Sequence, residues 1–506
     1  MRRREFLQRG AFAGAGVLST GVFAASAATT AFTLGVASGD PTADSVVIWT
    51  RLAPNPLNGG GMPDWPFLVQ WRVANDESML SIVQEGTAIA WPGLAHAVHV
   101  EVTNLSPGRW YFYQFYIGAD RSRIGRTRTM PARATMPDAF RFAFVSCQDW
   151  QNGFYAAYRN LAQEDLDLVI HLGDYIYESA ARATAVRQHN GAEPNSLASY
   201  RNRHALYKTD PHLQAAHAAF PWFVVPDDHE VDNNYAAHLS EDNVDPAVFL
   251  QRRANAFRAY YEHMPVRPAS FPLGPYARLY RSIAAGDLVQ FTALDTRQFR
   301  SDQPCGDGLQ LPCAQRTAPT QTMTGAAQEQ WLFGQLDASS ARWNVIAQQT
   351  MFAQYDFLAG SGEAFLMDQW DGYVAARRRI TDFLLLRQPS NPIVISGDLH
   401  SNWVHDLKAD FDNPSSANVG VEFVGTSISS DFPAEANPFV AAAQGDNPHT
   451  RFFDGRYRGY VRCTVTPGAW LSDFRAVPSI LTADVDAFTL ASFVVVNGQP
   501  VALRSA

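Results

Sequence analysis

Short stretches in which apolar and polar residues alternate occupy the chain from about residue 32 to 133. They read SVVIWTRL, FLVQWRVA, HAVHVEVTNL and RWYFYQFYI, separated by Pro, Gly, Asn and Asp. A period of two bounded by turn residues predicts strands with one covered face, and a series of them predicts an all-β sandwich. After TRTMPARATMPDAF the pattern changes. Longer runs, several apolar almost throughout, now alternate with helical stretches: FRFAFVSC, LDLVIHLGD, WFVVPDD, DLVQFTALD, WNVIAQQ, PIVISGD and VEFVGTS. Such strands are covered on both faces, so the second part is expected to be an α/β domain beginning near residue 135. Helices are expected over 154–164, 196–208, 247–263, 325–337 and 373–386.

The places where these runs stop carry the chemistry. FAFVSC ends at Cys147, DLVIHLGD at Asp174, WFVVPDDHE at Asp228 and His229, and PIVISGDLH at Asp398 and His400. Sites in α/β folds lie outside the carboxyl ends of strands, so these residues are expected to meet at one sheet edge. A single Asp after a strand is more often a helix cap, and a single His more often a satisfied polar group. Four strands ending this way shift the balance toward a shared site. Cys147, Asp174, Tyr177 and His400 form a mixed soft and hard anionic set suited to a highly charged transition metal such as ferric iron. Asp174, Asp228 and Asp398 form an oxygen-only set suited to calcium or magnesium, with Asp174 able to bridge the two. Without cations, so many carboxylates together would raise one another's pKa sharply.

Composition adds three constraints. The first 27 residues have a basic head, a short Gly/Ala-rich apolar middle and an Ala25-Ser26-Ala27 ending, the parts of a secretory leader. The middle falls well short of the roughly 20 residues a membrane span needs. The head, Arg3-Arg4-Glu5-Phe6-Leu7, resembles a twin-arginine signal, so export through the twin-arginine machinery to the periplasm or the medium is expected. Removing the leader takes the formal charge from −9 to about −12, which argues against a nucleic-acid groove. An acidic protein that holds an anionic substrate needs a concentrated positive charge, and bound metal ions would supply one. Cys305 and Cys313 bound the short loop CGDGLQLPC and are expected to pair in an oxidising compartment, whereas Cys463 in YVRCTV reads as a buried strand residue.

SCQDW (146–150), GDYIYE (173–178), DDHEV (227–231), ALDTRQFR (293–300), WDGY (370–373) and GDLH (397–400) follow an opening FTLGVASGDPTADSVVIWTRL. In this order they resemble the alkaline phosphatase D (PhoD) family of calcineurin-like metallophosphoesterases over almost the whole mature chain. The Asn104-Leu105-Ser106-Pro107-Gly108 turn before Trp110 also resembles a fibronectin type III corner. The family resemblance implies an α/β catalytic domain over 136–475, a four-layer β-sandwich with helices outside. A small all-β domain of fibronectin type III or immunoglobulin type over 28–135 would precede it, and a segment over 476–506 would follow, either capping the site or adding a last strand. It further implies ferric iron on Cys147, Asp174, Tyr177 and His400, and one or two calcium ions on a set that includes Asp174, Asp228 and Asp398.

The activity so implied is hydrolysis of phosphate monoesters or diesters by a metal-activated hydroxide. His229 is expected to steady the phosphoryl oxygens or protonate the leaving group. Arg297 is a candidate phosphate donor, with an ion pair to Asp295 or another acid as its structural alternative. Trp370, Asp371 and Tyr373 either wall the pocket or simply pack. HExxH, GxSxG and Walker-type motifs are absent from the sequence. Two rival readings stand beside this one: a phospholipase D-like diesterase acting on lipids, and a catalytically silent surface binding protein.

Overall fold

The computed structural model describes residues 30–505, so the leader lies outside the described residues. Two large sheets dominate. The first has ten strands in the order Leu503–Arg504, Phe488–Val496, Ala469–Val477, Arg458–Val465, Phe140–Val145, Leu168–His171, Pro221–Val224, Val36–Gly39, Val46–Arg51 and Ala97–Val102. Its middle, from Phe140–Val145 to Val36–Gly39, is parallel. The second has seven strands, with Val289–Ala293, Trp343–Ala347, Pro392–Ser396 and Asn418–Val424 parallel at its centre.

Alternation along the strands assigns the layers. Phe142, Phe144 and Ile170 of the first sheet pack against Phe291, Val345, Ile395 and Phe423 of the second. The intervening residues Ala143, Val145 and Val169 point the other way, onto Tyr158, Leu161, Tyr200, Phe257 and Tyr260 of the helices Ala156–Leu161, Leu197–Lys208 and Pro246–His263. Ile346 and Val394 similarly meet Leu332, Leu336, Ile380 and Leu384 of Gly325–Asp337 and Val374–Arg387. Helices thus cover both outer faces of the sheet pair.

The amino-terminal strands do form a sandwich, but they are not set apart from the rest. A five-stranded sheet that includes Phe67–Ala74 and Trp110–Ile117 buries Val69, Val73, Tyr113 and Phe115 against Val36, Val46, Ile48 and Val98. Those partners belong to the ten-stranded sheet, whose hydrogen bonding runs unbroken across the boundary expected near residue 135. An edge would otherwise be left open at Pro221–Val224, and Val36–Gly39 closes it, with Ser38 opposite Pro221. The fibronectin-like corner is present, with the Ser106 amide donating to the Tyr111 hydroxyl at 2.9 Å. At the other end, Ala469–Val477 and Phe488–Val496 extend the same sheet, so the last segment contributes strands. Cys305 and Cys313 are disulfide-bonded, and Cys463 is a buried strand residue. Among the described residues no helix is long and apolar enough to cross a membrane.

Beneath the helical layer lies an unusual set of buried bases. His204 stacks on His263, His217 on Trp222 and His99 on Tyr261, while the Lys208 ammonium sits over the Trp49 ring and donates to the Tyr175 hydroxyl at 3.1 Å. Burial drives the imidazoles down, His99 to about 4, His171 to about 3, and His204, His217 and His263 well below the usual range; it lowers Lys208 to about 7. The folded chain therefore stays neutral at these histidines where the unfolded chain protonates. Stability should fall as pH drops from about 6.5 toward 4, by up to about 1.4 kcal/mol per pH unit for each such histidine. Lys208 acts in the same direction between about 7 and 10.4, the unfolded value. Buried Glu230 and Glu422, raised to about 7, act in the opposite direction, so the imidazoles are best read one by one by NMR: the ring signals of His204, His217 and His263 should not titrate between pH 8.5 and 5.5, and a transition near 6.5 would mean they charge within the fold.

Candidate metal centre

Four strands deliver their ends to one place. Cys147 follows Phe140–Val145, Asp174 follows Leu168–His171, Asp227 and Asp228 follow Pro221–Val224, and Asp398 and His400 follow Pro392–Ser396 of the other sheet. Glycine makes the convergence possible. A Cβ on Gly173 would collide with the Cβ and backbone of Asp227, and one on Gly397 with the Ser146 side chain. Cys147, Asp174, Asp398 and His400 all adopt left-handed backbone, with φ of 57°, 56°, 62° and 54°. L-residues pay about 1 kcal/mol or more for that conformation, and such strain collects where a side chain must be aimed.

The aim is mutual. Ligand atoms of Cys147, Asp174 and His400 lie within 4.8 Å of one another, as do those of Asp174, Asp227, Asp228 and Asp398. The Tyr177 phenol completes the first group, 2.9 Å from Asp174 Oδ2 and 3.1 Å from His400 Nε2. His400 Nδ1 lies 2.7 Å from the Asp431 carbonyl; donation there leaves the Nε2 lone pair facing the phenol and the thiol. Burial also lowers His400 to about 4, which keeps it neutral, as a ligand must be. Burial, with Asp174 beside both, pushes the Cys147 thiol and the Tyr177 phenol well up, so neither gives up its proton without a cation nearby.

The acids outnumber the bases. Arg297, 1 % exposed, bonds Asp227 through Nε, Asp368 through Nη1 at 2.9 Å and Asp398 through Nη2 at 2.9 Å, with Asp228 at 3.5 Å. Its guanidinium is thus committed to carboxylates. The ion-pair alternative describes it rather than phosphate binding, and the partners are these acids instead of Asp295, because the fork lies behind the carboxylates and not at the open rim. One guanidinium cannot neutralise the whole set. Burial raises Asp398 to about 6 and Asp174 well above the carboxylate range. Asp174 Oδ1 and Asp228 Oδ1 are buried without a hydrogen-bond donor. An Asp174 oxygen with no donor, and an Asp228 oxygen with only the Arg297 ion pair at 3.5 Å, facing a cluster of thiol, phenol, imidazole and further acids, fit metal ions, which remove the charge excess and give those atoms ligand bonds.

His229 stands at the rim of this cluster, its ring 4.1 Å from that of Tyr177. Its Nδ1 meets Glu178 Oε2 at 2.7 Å, and Glu178 Oε1 accepts the Asn233 amide at 2.9 Å. Nε2 is therefore the nitrogen available on the side of Asp174 and Asp228. Burial opposes charge on this ring, but Glu178, Asp174 and Asp228 outweigh it and hold its pKa well above the usual range.

Asp227, Glu178, Glu230 and Asp368 belong to the site although the strand-end pattern did not single them out. Glu230 clasps the turn, accepting from the amides of Asp174 (3.1 Å), Tyr175 (2.5 Å) and Asp227 (2.7 Å). Trp370, Asp371 and Tyr373 are buried packing residues; Trp370 Nε1 bonds Gln348 and Asp371 bonds Arg377. Their neighbour Gln369 is the one that reaches the site, donating to Asp398 at 2.6 Å.

A model of the PhoD-like phosphatase matches residues 142–474, and a model of that family's N-terminal domain matches residues 17–131. The fold and the family it matches therefore define a phosphoric ester hydrolase. Alkaline phosphatase D of Bacillus subtilis (strain 168) is 47 % identical over an alignment 517 positions long, covering 98 % of this chain and 88 % of that protein. A solved structure of PhoD, also 47 % identical, superposes with a TM-score of 0.91 over 96 % of this chain and 94 % of the other. The chain belongs to the PhoD-like phosphatase family.

Proposed function

We propose that this protein is an exported, metal-dependent phosphoesterase that hydrolyses phosphate monoesters or diesters. The observation that carries the reading is the gathering of Cys147, Asp174, Tyr177 and His400 beside Asp174, Asp228 and Asp398, with buried carboxylate oxygens left without a hydrogen-bond donor. The first set would fit ferric iron and the second calcium, one or two ions, with Asp174 common to both. Bound there, the ions would lower the pKa of a water at neutral or alkaline pH and would supply the positive charge that phosphoryl oxygens require. The chain's own residues do the rest. His229, steadied by Glu178, presents Nε2 at the rim, where it donates to a phosphoryl oxygen or to the departing alkoxide. Arg297 holds Asp228 and Asp368 below the usual carboxylate range and aligns Asp227 and Asp398 beside them behind the ligands. Export by the twin-arginine route rests on the Arg3-Arg4-Glu5-Phe6-Leu7 head and would allow metals to be loaded before transit.

Two measurements test this. Nitrophenol release at alkaline pH from a nitrophenyl monoester and diester should be abolished by a calcium-selective chelator, and the ratio of the two rates separates phosphatase from diesterase. Metal-replete protein that releases none would favour a narrower lipid substrate or a silent binding role. His229→Ala should lower kcat by roughly 10²–10⁴-fold with metal content unchanged. Loss of an ion from that variant would make His229 a ligand, which its proximity to Asp174 and Asp228 permits.

A further inference from the structure

The two oxygens of Asp228 are held differently. Oδ2 accepts the Asn234 amide at 2.6 Å, whereas Oδ1 has no hydrogen-bond donor and only the Arg297 ion pair at 3.5 Å. A carboxylate capped on one oxygen presents the other to a cation, so the Asn234 amide decides how this side chain is offered. Asn234 itself is left-handed, with φ of 49°, and is gripped at both its carbonyl and its side chain. The carbonyl accepts from Arg300 Nη2 and from Gln303 Nε2, each at 2.7 Å, and the side-chain amide donates to Asp307 Oδ2 at 2.8 Å. Arg300 and Gln303 belong to the site, since both also meet Asp368. Asp307 comes from elsewhere, from the loop that the Cys305–Cys313 disulfide closes.

That loop holds one carboxylate in place. Cys305, Gly306 and Gly308 are all left-handed, with φ of 62°, 80° and 69°, so the chain turns tightly around Asp307. Asp307 Oδ1 accepts the Gly308 amide at 2.6 Å, and the Asp307 carbonyl accepts Gln310 Nε2 at 2.9 Å. Leu309–Gln310 pairs with Phe365–Leu366, the strand that leads into Asp368. The loop's leucines, Leu309 and Leu311, are exposed, so apolar packing does not fix it. The disulfide restrains its ends instead, and holds Cys305 in a backbone conformation that an L-residue otherwise avoids.

We propose that Asp307, held by the Cys305–Cys313 disulfide, is a positioning residue for the calcium side of the centre: through Asn234 it fixes the Asp228 carboxylate and so sets calcium affinity. The proposal rests on the metal-dependent reading and gives a functional use to a disulfide in an exposed loop. Asp307 and the disulfide act through Asn234 and touch neither the ion nor the reacting atoms.

Calcium titration by calorimetry tests it, on protein first treated with a calcium-selective chelator and with iron content measured alongside. Asp307→Ala and the double variant Cys305→Ser/Cys313→Ser should each raise the calcium Kd by about 10–100-fold, the range for losing a partner behind a metal ligand. Stoichiometry, and kcat at saturating calcium, should stay as in the parent. Asp307→Asn keeps an acceptor oxygen and should recover most of the affinity. Asn234→Gly accepts the left-handed backbone but lacks the side-chain link, so it should match Asp307→Ala, and the two combined should be no weaker than either alone. Unchanged affinity in Asp307→Ala or in the disulfide-free variant would overturn the proposal and leave the phosphoesterase standing. A calcium ion lost from the stoichiometry, or an Asp307→Asn variant as weak as the alanine one, would make Asp307 a ligand and overturn it. Iron lost together with calcium would show that the loop supports the fold at large, which also overturns it. A parent that binds no calcium would overturn this proposal and the calcium assignment together.

Discussion

Asp174→Asn is expected to abolish turnover, by on the order of 10³-fold or more, and to release metal from both halves of the centre. Asp174 is the residue common to all three ligand groupings: with Cys147 and His400, with Asp228 and His229, and with Asp227, Asp228 and Asp398. Asparagine keeps its volume and one oxygen but loses the charge that a bridging ligand shares between cations. The fold should survive, because the backbone turn is held independently by Glu230 and by the close approach of Gly173 to Asp227. Elemental analysis of the purified variant beside nitrophenol assays decides the matter. A variant that is inactive yet retains both ions would show that Asp174 acts otherwise than as the bridge.

Arg297→Met is expected to destabilise the protein by about 3–5 kcal/mol, the range for leaving buried charges without their partner. The guanidinium touches Asp227, Asp368 and Asp398 and lies near Asp228, all within the interior. Removing it leaves carboxylates facing one another, so they must take up protons or pull apart. Arg297→Lys should recover only part of the loss, since a point charge cannot reach acids on several sides at once. Urea denaturation of the metal-replete proteins measures both. A lysine variant as stable as the parent would mean that charge alone matters here, and an unaffected methionine variant would mean the acids are already neutral.

How much of this site the sequence disclosed depends on whether a residue interrupts a pattern. Cys147, Asp174, Asp228, Asp398 and His400 each end an apolar run, so a change from hydrophobic to ligand-type chemistry marks them. Asp227 sits beside Asp228, and no period distinguishes the two; only their burial in the folded chain shows that both are enclosed. Glu178 gains meaning only from His229, and Asp368 comes from an irregular stretch without periodicity. The helices were legible wherever an amphipathic stretch was long. Pro211–Ala219 carries no such stripe: Leu213 is its one large apolar side chain among alanines, and little marks it besides the Asp210 cap and Pro211. The sandwich strands were legible from alternation, but alternation says nothing about which edge a strand joins. Alternation marks 28–135 as a unit, and a model of the family's N-terminal domain matches 17–131, but alternation does not disclose that Val36–Gly39 pairs with Pro221–Val224.

That edge pairing, with its counterpart on the other side, bears on how the enzyme is made. Phe140–Val145, the strand that aims Cys147, is flanked on its outer side by Arg458–Val465, with Phe144 opposite Val461. The partner is synthesised late, and the strand at the far flank of the parallel block, Val36–Gly39, among the first. A nascent chain that has already exposed Cys147, Asp174 and Asp228 therefore still lacks the strand that closes their sheet, and lacks His400 until residue 400 is made. Contacts so distant along the chain make for high contact order and slow folding. The catalytic centre matures only after the ribosome has nearly finished, which leaves an interval when half-built sheet edges need shielding from one another.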